Sequence, residues 1–356
     1  MAANRKQNQD IREFILDHLE KYPSTITAAV TKKFNLSRTA ANGHIKRLVQ
    51  EGLLEASGNT KARWYQHQLL VDETFKIQLS AGLAEDSIWR FRILPLIKGV
   101  KQNVIDICQY CFTEILNNAI DHSASPDALI SYRQTYHKIS MVIRDQGIGI
   151  FEKIKRDFNL ADARMALLEL SKGKLTSDQA NHSGQGIFFT SRMVDNFYIL
   201  SGALLYVRER VRDDEWLIET EIETEDKPNP EIGTAVTMEI DTNTPRTTRA
   251  VFDYYQGDDY SFKKTHVPIK IGKYPGEQLV SRSQAKRVLA RFENFTKVIL
   301  DFEGVETIGQ AFADEIFRVF KNANPNIDLY AVRTSPEIEK MIKFVEVYDQ
   351  EQRKKI

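Results

Sequence analysis

The chain has 356 residues, with 49 Lys plus Arg against 49 Asp plus Glu and a formal net charge of zero. Its length exceeds one ordinary core and implies two or three domains, and the balanced charge excludes reading a polyanionic partner from whole-chain charge. The start, MAANRKQNQD, lacks the apolar core of a signal peptide, and the longest nearly unbroken apolar run, Phe197 to Val207, contains Ser201 and Gly202 and is too short to span a bilayer, so a cytoplasmic location is expected.

Residues Ile11 to Glu20 predict an amphipathic helix with Ile11, Phe14, Ile15 and Leu19 on its inner side. After Pro23, Thr25 or Thr27 caps a second helix through Phe34. Ser37 caps a third, which carries Ala41, Ile45, Leu48 and Val49 inward and ends at Gly52. Leu53-Leu54-Glu55 and Ala62-Arg63-Trp64-Tyr65 then pair as a hairpin around Gly58-Asn59. Three helices and a hairpin in this order resemble a winged helix-turn-helix, here over residues 1–67. The resemblance implies DNA binding, with the third helix in the major groove and the wing on the phosphate backbone. The matching positions are Ser37, Arg38, Thr39, Asn42, Lys46 and Arg47, with Lys61 and Arg63 on the wing; His44 stands beside them without an assigned role. Eleven basic against six acidic side chains through His67 suit phosphate contact. The alternative is a winged helix used for protein contact or dimerisation.

Residues 68 to about 97 are mixed in character, with Trp89, Phe91, Ile93 and Leu94 expected to cover the next domain. A helix from about Lys101 to His122 contains TEILNNAIDHS, in which Glu114 and Asn118 lie one turn apart on one face and His122 follows a turn later. Buried polar groups need partners, so this pair either caps nearby backbone or serves a ligand. Cys108 and Cys111 form a Cys-x-x-Cys without a second ligand pair, and Cys108 shares an apolar face with Phe112, Ile115 and Ala119, which assigns it to the core.

A hairpin, Ala128 to Arg133 with Lys138 to Arg144, runs into Asp145-Gln-Gly-Ile-Gly-Ile150. Gly147 and Gly149 permit a sharp turn and close backbone approach, and Asp145 can accept a hydrogen bond from an exocyclic amine. Ser183-Gly-Gln-Gly-Ile187 then opens a helix through Val194, a backbone arrangement suited to phosphate oxygens. Between them, Phe151 to His182 carries Ser171, Lys172, Lys174, Ser177 and Asn181, read as a lysine-bearing lid or as a solvated loop. Strands follow around Tyr198 to Val207, Trp216 to Glu223 and Ala235 to Ile240, the last introduced by Gly233-Thr234.

Glu114-x-x-x-Asn118-Ala119, Asp145-x-Gly147-x-Gly149, Gly184-x-Gly186 and Gly233-Thr234 resemble, in order, the four boxes of the GHKL (Bergerat-fold) ATP-binding family. That family includes histidine-kinase catalytic domains, anti-sigma serine kinases, gyrase-type ATPases and heat-shock chaperones. The resemblance implies an α/β-sandwich domain over residues 68–243 that binds ATP and Mg²⁺. By position, Asn118 would hold the magnesium ion, Glu114 would orient or deprotonate the attacking hydroxyl or water, and Asp145 would bind the adenine amine. Gly147 and Gly149 would shape the pocket floor, Gly184 and Gly186 would wrap the phosphates, and Thr234 would support the adenine end. His122 matches a position often held by histidine in the anti-sigma kinase branch, or it caps the helix end. No long helical pair carrying a phosphoacceptor histidine precedes Cys108, which disfavours an autophosphorylating histidine kinase.

After Asp241 the run Thr-Asn-Thr-Pro-Arg-Thr-Thr reads as a linker. Val298 to Phe302 and Ile327 to Val332 predict strands, while Gln310 to Phe320 and Pro336 to about Val345 predict helices, an alternation that favours a small α/β domain over residues 257–356. LDFEGVETIGQAF, from Leu300 to Phe312, resembles STAS domains and a STAS-like domain of unknown function (DUF4325). Gly309, Gln310 and Ala311 stand at the turn where anti-sigma antagonists carry a phosphorylatable serine, so this part is expected to act as an interaction or regulatory module towards a protein partner or second protomer. The expected protein is thus multidomain α/β, an ATP- and Mg²⁺-dependent switch governing DNA binding with slow hydrolysis. A protein kinase acting on a separate partner and a non-catalytic nucleotide-binding scaffold are the alternatives.

Overall fold

A computed structural model describes residues 2–59, 63–80, 82–175, 184–210, 216–219, 233–256, 262–274 and 276–353. Lys61, Ser177, Asn181, Ser183 and the last four residues of the strand expected through Glu223 lie outside them. Among the described residues the chain is mixed α/β, with sheets of two, three and seven strands.

At the N-terminus stand α1 (Ala2–His18), α2 (Ile26–Phe34) and α3 (Arg38–Gln50), followed by the antiparallel strands β1 (Leu54–Ser57) and β2 (Trp64–His67). Ser37 begins α3 as expected, its hydroxyl accepting the Ala40 N–H at 3.2 Å, whereas Thr25 precedes α2 without a side-chain cap. Ile11, Ile15, Leu19, Ile26, Val30, Ala41, Ile45, Leu48, Leu54 and Tyr65 are buried together in a small core of their own. The recurrence of apolar residues every three or four positions builds that core from three short helices that would be marginal alone.

The central sheet is antiparallel throughout, in the order β3-β4-β5-β9-β6-β7-β8. Its strands are β3 (Leu69–Gln78), β4 (Asp127–Thr135), β5 (Lys138–Asp145), β6 (Asn196–Ser201), β7 (Leu204–Arg210), β8 (Trp216–Glu219) and β9 (Ala235–Asp241). Every second residue of β4, β5 and β9 is buried, so one face of the sheet meets helices. Between β3 and β4 lie the short α4 (Glu85–Ile88), which runs on through a π-turn, and α5 (Gln102–His122). α5 packs on β5 and β9 through Val104, Ile107, Cys108, Cys111, Phe112, Ile115, Leu116 and Ala119. Both cysteines are buried and unbridged, and burial pushes the Cys108 thiol up to about 12, which fits the expected core role. α6 (Ile150–Asp157), α7 (Arg164–Lys172) and α8 (Gly186–Met193) connect β5 to β6.

The stretch expected to be a linker is instead tied down. Thr242 donates to the Tyr136 carbonyl at 2.7 Å, Asn103 donates to the carbonyls of Thr244 and Arg246, and Arg246 pairs with Asp195 at 2.7 Å. Short polar side chains there satisfy backbone groups, a use that composition does not distinguish from solvation. α9 (Thr248–Tyr255) follows, then β10 (Lys264–Pro268), α10 (Arg282–Leu289), β11 (Lys297–Asp301), α11 (Gln310–Asp314), α12 (Lys321–Ala323), β12 (Asp328–Val332) and α13 (Pro336–Arg353). A π-turn from Glu315 to Phe320 joins α11 to α12. β10, β11 and β12 form a parallel sheet with β11 in the middle. Buried residues of this part and of the central sheet belong to one continuous apolar core, in which Phe188 of α8 packs on Phe262, ring centroids 4.4 Å apart.

Candidate functional site

A cleft of about 160 Å³ opens between α5, α6, α7, the start of α8 and the edges of β5 and β9. Glu114, Asn118, Asp145, Gly149, Gly184, Gly186 and Thr234 line it, together with His122 from the last turn of α5. Residues separated by as many as 120 positions therefore converge on one concavity, around apolar walls from Ile115, Ala119, Ile143, Ile150, Ile154 and Val236. The one expected site residue absent from the lining is Gly147. A Cβ there would meet the Ser123 carbonyl oxygen at 1.9 Å, so this glycine lets the turn after β5 pass under the end of α5.

Asp145 ends β5 and is 5 % exposed. Its Oδ1 accepts N–H groups of Gly147 at 2.9 Å and Thr234 at 3.3 Å, while its own N–H donates to the Thr234 carbonyl at 2.9 Å. Burial raises its pKa and outweighs the opposing backbone N–H bonds. The Oδ2 atom stands outside those two bonds. Gly233 is confined by the same carboxylate, since a Cβ would fall 2.5 Å from Asp145 Oδ1. The Thr234 hydroxyl accepts the Ile150 N–H at 3.0 Å and so fixes the start of α6. Gly149 precedes α6 at φ +80°, a left-handed conformation that favours glycine.

On the opposite wall, Glu114 projects from α5 at the first turn of α8. A Cβ on Gly186 would lie 2.0 Å from Glu114 Oε2, so the missing side chain makes room for this carboxylate at the positive end of a helix. Gly184, at φ +64°, faces the Leu175 backbone, where a Cβ would come within 2.6 Å. α6 adds Lys153 and Asp157, a salt-bridged pair on the cleft wall that the sequence reading did not single out. Their i, i+4 spacing after Gly149 was the available signal.

Lys172 and Lys174 do not form a lysine-bearing lid. Lys172 is fully buried, donating to Glu169 at 2.6 Å and to the Ala290 carbonyl at 2.8 Å, and Lys174 reaches the Asn294 carbonyl at 2.7 Å. Arg291 bonds Glu169 at 2.8 Å, and Thr265 donates to the Lys172 carbonyl at 2.8 Å. These contacts anchor α7, whose Leu170 lines the cleft, to the C-terminal part around β10 and the end of α10.

Of the positions expected to meet DNA, Arg38, Thr39, Lys46 and Arg47 are exposed on α3, Arg63 is exposed beside β2, and Ser37 is the N-cap. Asn42 is half-buried and its Oδ1 accepts the Thr27 hydroxyl at 3.0 Å, so it is committed in part to joining α2 and α3.

In the C-terminal part, Asp301 ends the central strand of the parallel sheet and is 2 % exposed. Burial pushes its pKa up, but hydrogen bonds from His266 Nε2 (2.9 Å), Arg333 Nε (2.9 Å) and the Glu303 N–H (3.1 Å) prevail and hold it at about 2. Gly309 caps α11, and a Cβ on it would lie 2.7 Å from the Val280 Cα, which explains a glycine in that turn by packing. Residues 284–339 are a STAS-like domain of unknown function (DUF4325). The match covers α10, β11, α11, α12, β12 and the start of α13. No curated protein matches the chain, and no helix among the described residues is long and apolar enough to cross a membrane.

Proposed function

We propose that the chain is a nucleotide-dependent regulatory switch, in which a GHKL-type cleft binds ATP with Mg²⁺ and its occupancy alters DNA binding by an N-terminal winged helix. The observation that carries this reading is the convergence of Glu114, Asn118, Asp145, Gly149, Gly184, Gly186 and Thr234 on one cleft. The donor set fits the ligand. Asp145 keeps one carboxylate oxygen outside its backbone bonds for an exocyclic amine, and Ile143, Ile150, Ile154 and Val236 offer apolar contact to a planar base. The Asn118 amide oxygen is a hard ligand without full charge, suited to a cation that neutralises phosphate oxygens when bound. Glu114 is the carboxylate positioned to orient a water or hydroxyl nucleophile.

Coupling to the N-terminal unit has a physical route. β5 ends at Asp145 in the cleft and begins at Lys138, which bonds Glu20 of the segment after α1 at 2.8 Å and Glu239 of β9 at 3.3 Å. Eight residues of antiparallel strand span about 24 Å, so one rigid element touches both the cleft and the N-terminal unit. A ligand shifts such a system only by its different affinity for two arrangements. The test is ATP binding and turnover by wild type, Asn118→Ala and Glu114→Ala. The expected result is loss of Mg²⁺-dependent binding in Asn118→Ala, with binding kept and turnover lost in Glu114→Ala. Equal binding in all three and no turnover in wild type would refute the catalytic assignment, and DNA affinity indifferent to ATP would refute the switch.

A further inference from the structure

A second cluster of ligand-type side chains lies away from the cleft, where the N-terminal unit meets the central sheet. Asp17 of α1, His137 in the β4–β5 turn and Asp241 at the end of β9 each offer one ligand atom, and these three atoms all lie within 4.8 Å of one another. His137 Nε2 contacts Asp17 Oδ1 directly. A second imidazole adjoins them: the His67 ring, at the end of β2, stacks on His137 with centroids 5.9 Å apart and an interplanar angle of 26°. The Nδ1 atoms of both rings are buried without a hydrogen-bond partner. Asp17 is half exposed, which leaves the cluster a path from solvent.

We propose that Asp17, His137 and Asp241, with His67 as fourth ligand or immediate neighbour, form a binding site for a divalent transition-metal ion of the zinc class. Imidazole nitrogen together with two carboxylates favours such ions over Mg²⁺ or Ca²⁺, which take all-oxygen shells. Ligand bonds of about 2.0–2.2 Å in tetrahedral geometry set ligand atoms about 3.4 Å apart, so the touching His137 and Asp17 atoms part to admit the ion. Asp17 and His67 sit in the N-terminal unit, while His137 immediately precedes β5 and Asp241 ends the neighbouring β9, so a bound ion ties the two units together. Metal loading thus adds a second input on the orientation of the N-terminal unit, independent of the nucleotide reading. Binding exchanges the imidazole–carboxylate contact of His137 and Asp17 for metal–ligand bonds, and any proton held on the imidazole leaves to solvent.

The test uses the full chain without an affinity tag, stripped with chelator and titrated with Co²⁺ as a spectroscopic probe and Zn²⁺ as competitor. The expected result is one Co²⁺ per chain with visible ligand-field absorption, displaced by Zn²⁺ and unaffected by excess Mg²⁺. Asp17→Asn, His137→Ala and Asp241→Asn should each weaken binding by about 10- to 100-fold. Asp17→Asn is isosteric at a half-exposed position and keeps the test valid if the other two unfold. Zn²⁺ should also slow amide exchange in α1. No 1:1 Co²⁺ complex in wild type, or affinity unchanged in Asp17→Asn, overturns the site; unchanged α1 exchange at saturating Zn²⁺ overturns the clamp.

Discussion

Gly186→Ala separates positioning of the Glu114 carboxylate from stability. The new Cβ would lie 2.0 Å from Glu114 Oε2 and 3.1 Å from its Cδ, against ordinary contact at 3.4–4 Å. The carboxylate must therefore retreat by more than about 1 Å, a displacement at a reacting group that can reduce rate about 100-fold. Stability should barely fall, because the displaced atoms are the end of a flexible side chain and alanine is the better helix former by up to about 1 kcal/mol. Phosphate release under saturating ATP, nucleotide titration and urea unfolding measure the three quantities. The expected pattern is turnover down about 100-fold at saturating ATP, where any loss of affinity at this cleft-lining position is excluded, with the unfolding midpoint nearly unchanged. The double variant with Glu114→Ala should be no slower than Glu114→Ala alone, since both changes act on one carboxylate. Turnover equal to wild type, or an additive double variant, would refute the reasoning.

Three further outcomes follow from the same geometry. Asp145→Asn should weaken ATP by about 10- to 100-fold, the range of a lost charge-assisted hydrogen bond. Because burial raises the Asp145 pKa and the ionised carboxylate is the acceptor, wild-type affinity should fall on acidification above the ordinary carboxylate range, whereas affinity flat down to pH 4 contradicts the role. Asp301 is depressed to about 2, so its stabilisation is fully present above the unfolded value near 3.8 and is lost as pH falls from there towards 2. Asp301→Ala should cost about 1–3 kcal/mol by removing the acceptor of the His266, Arg333 and Glu303 N–H bonds, although Arg333 keeps its pairing with Glu303, measured by urea unfolding at pH 7, with an unchanged midpoint as the contrary result. Lys172→Met keeps the side chain's length but cuts its bonds to Glu169 and the Ala290 carbonyl; a loss of about 2 kcal/mol is expected, and an unchanged midpoint would show the anchor to be incidental.

What was legible in the sequence was the local chemistry of particular positions. The Ser37 cap, the α5 face that buries Cys108 and Phe112, and the β4–β5 hairpin follow from spacing alone, because each depends on neighbours within a few residues. The ordered glycine boxes also anticipated which residues share the cleft. The alternation of β3, Val71, Phe75 and Ile77 against Asp72, Thr74, Lys76 and Gln78, is interrupted by Glu73, and as an edge strand it buries only Ile77. Lys172 reads as a lid or solvated-loop lysine because the Ala290 carbonyl it bonds, and the Arg291 that shares its partner Glu169, lie more than a hundred residues away. At Gly147 the missing Cβ makes room for the Ser123 carbonyl, a long-range contact that no local pattern announces.

The cleft is bounded by two elements that each end in another part of the protein. β5 carries Asp145 at one end and, at the other, the Lys138–Glu20 and His137–Asp17 contacts to the N-terminal unit. α7 places Leu170 on the cleft wall and, two residues on, Lys172 in the polar network with Glu169, Arg291 and Ala290. Strand and helix are stiff over these lengths, so a displacement at the cleft reaches its distant contact as movement of a whole element. The two routes differ in strength. The N-terminal contacts include ion pairs of partly exposed side chains, worth about 1 kcal/mol or less each and weakened by salt, beside the His67–His137 ring stack. The α7 anchor is buried and continuous with an apolar core. A ligand in the cleft would therefore loosen the N-terminal unit more readily than the C-terminal part, which makes the N-terminal unit the movable part and the C-terminal part the frame against which it moves.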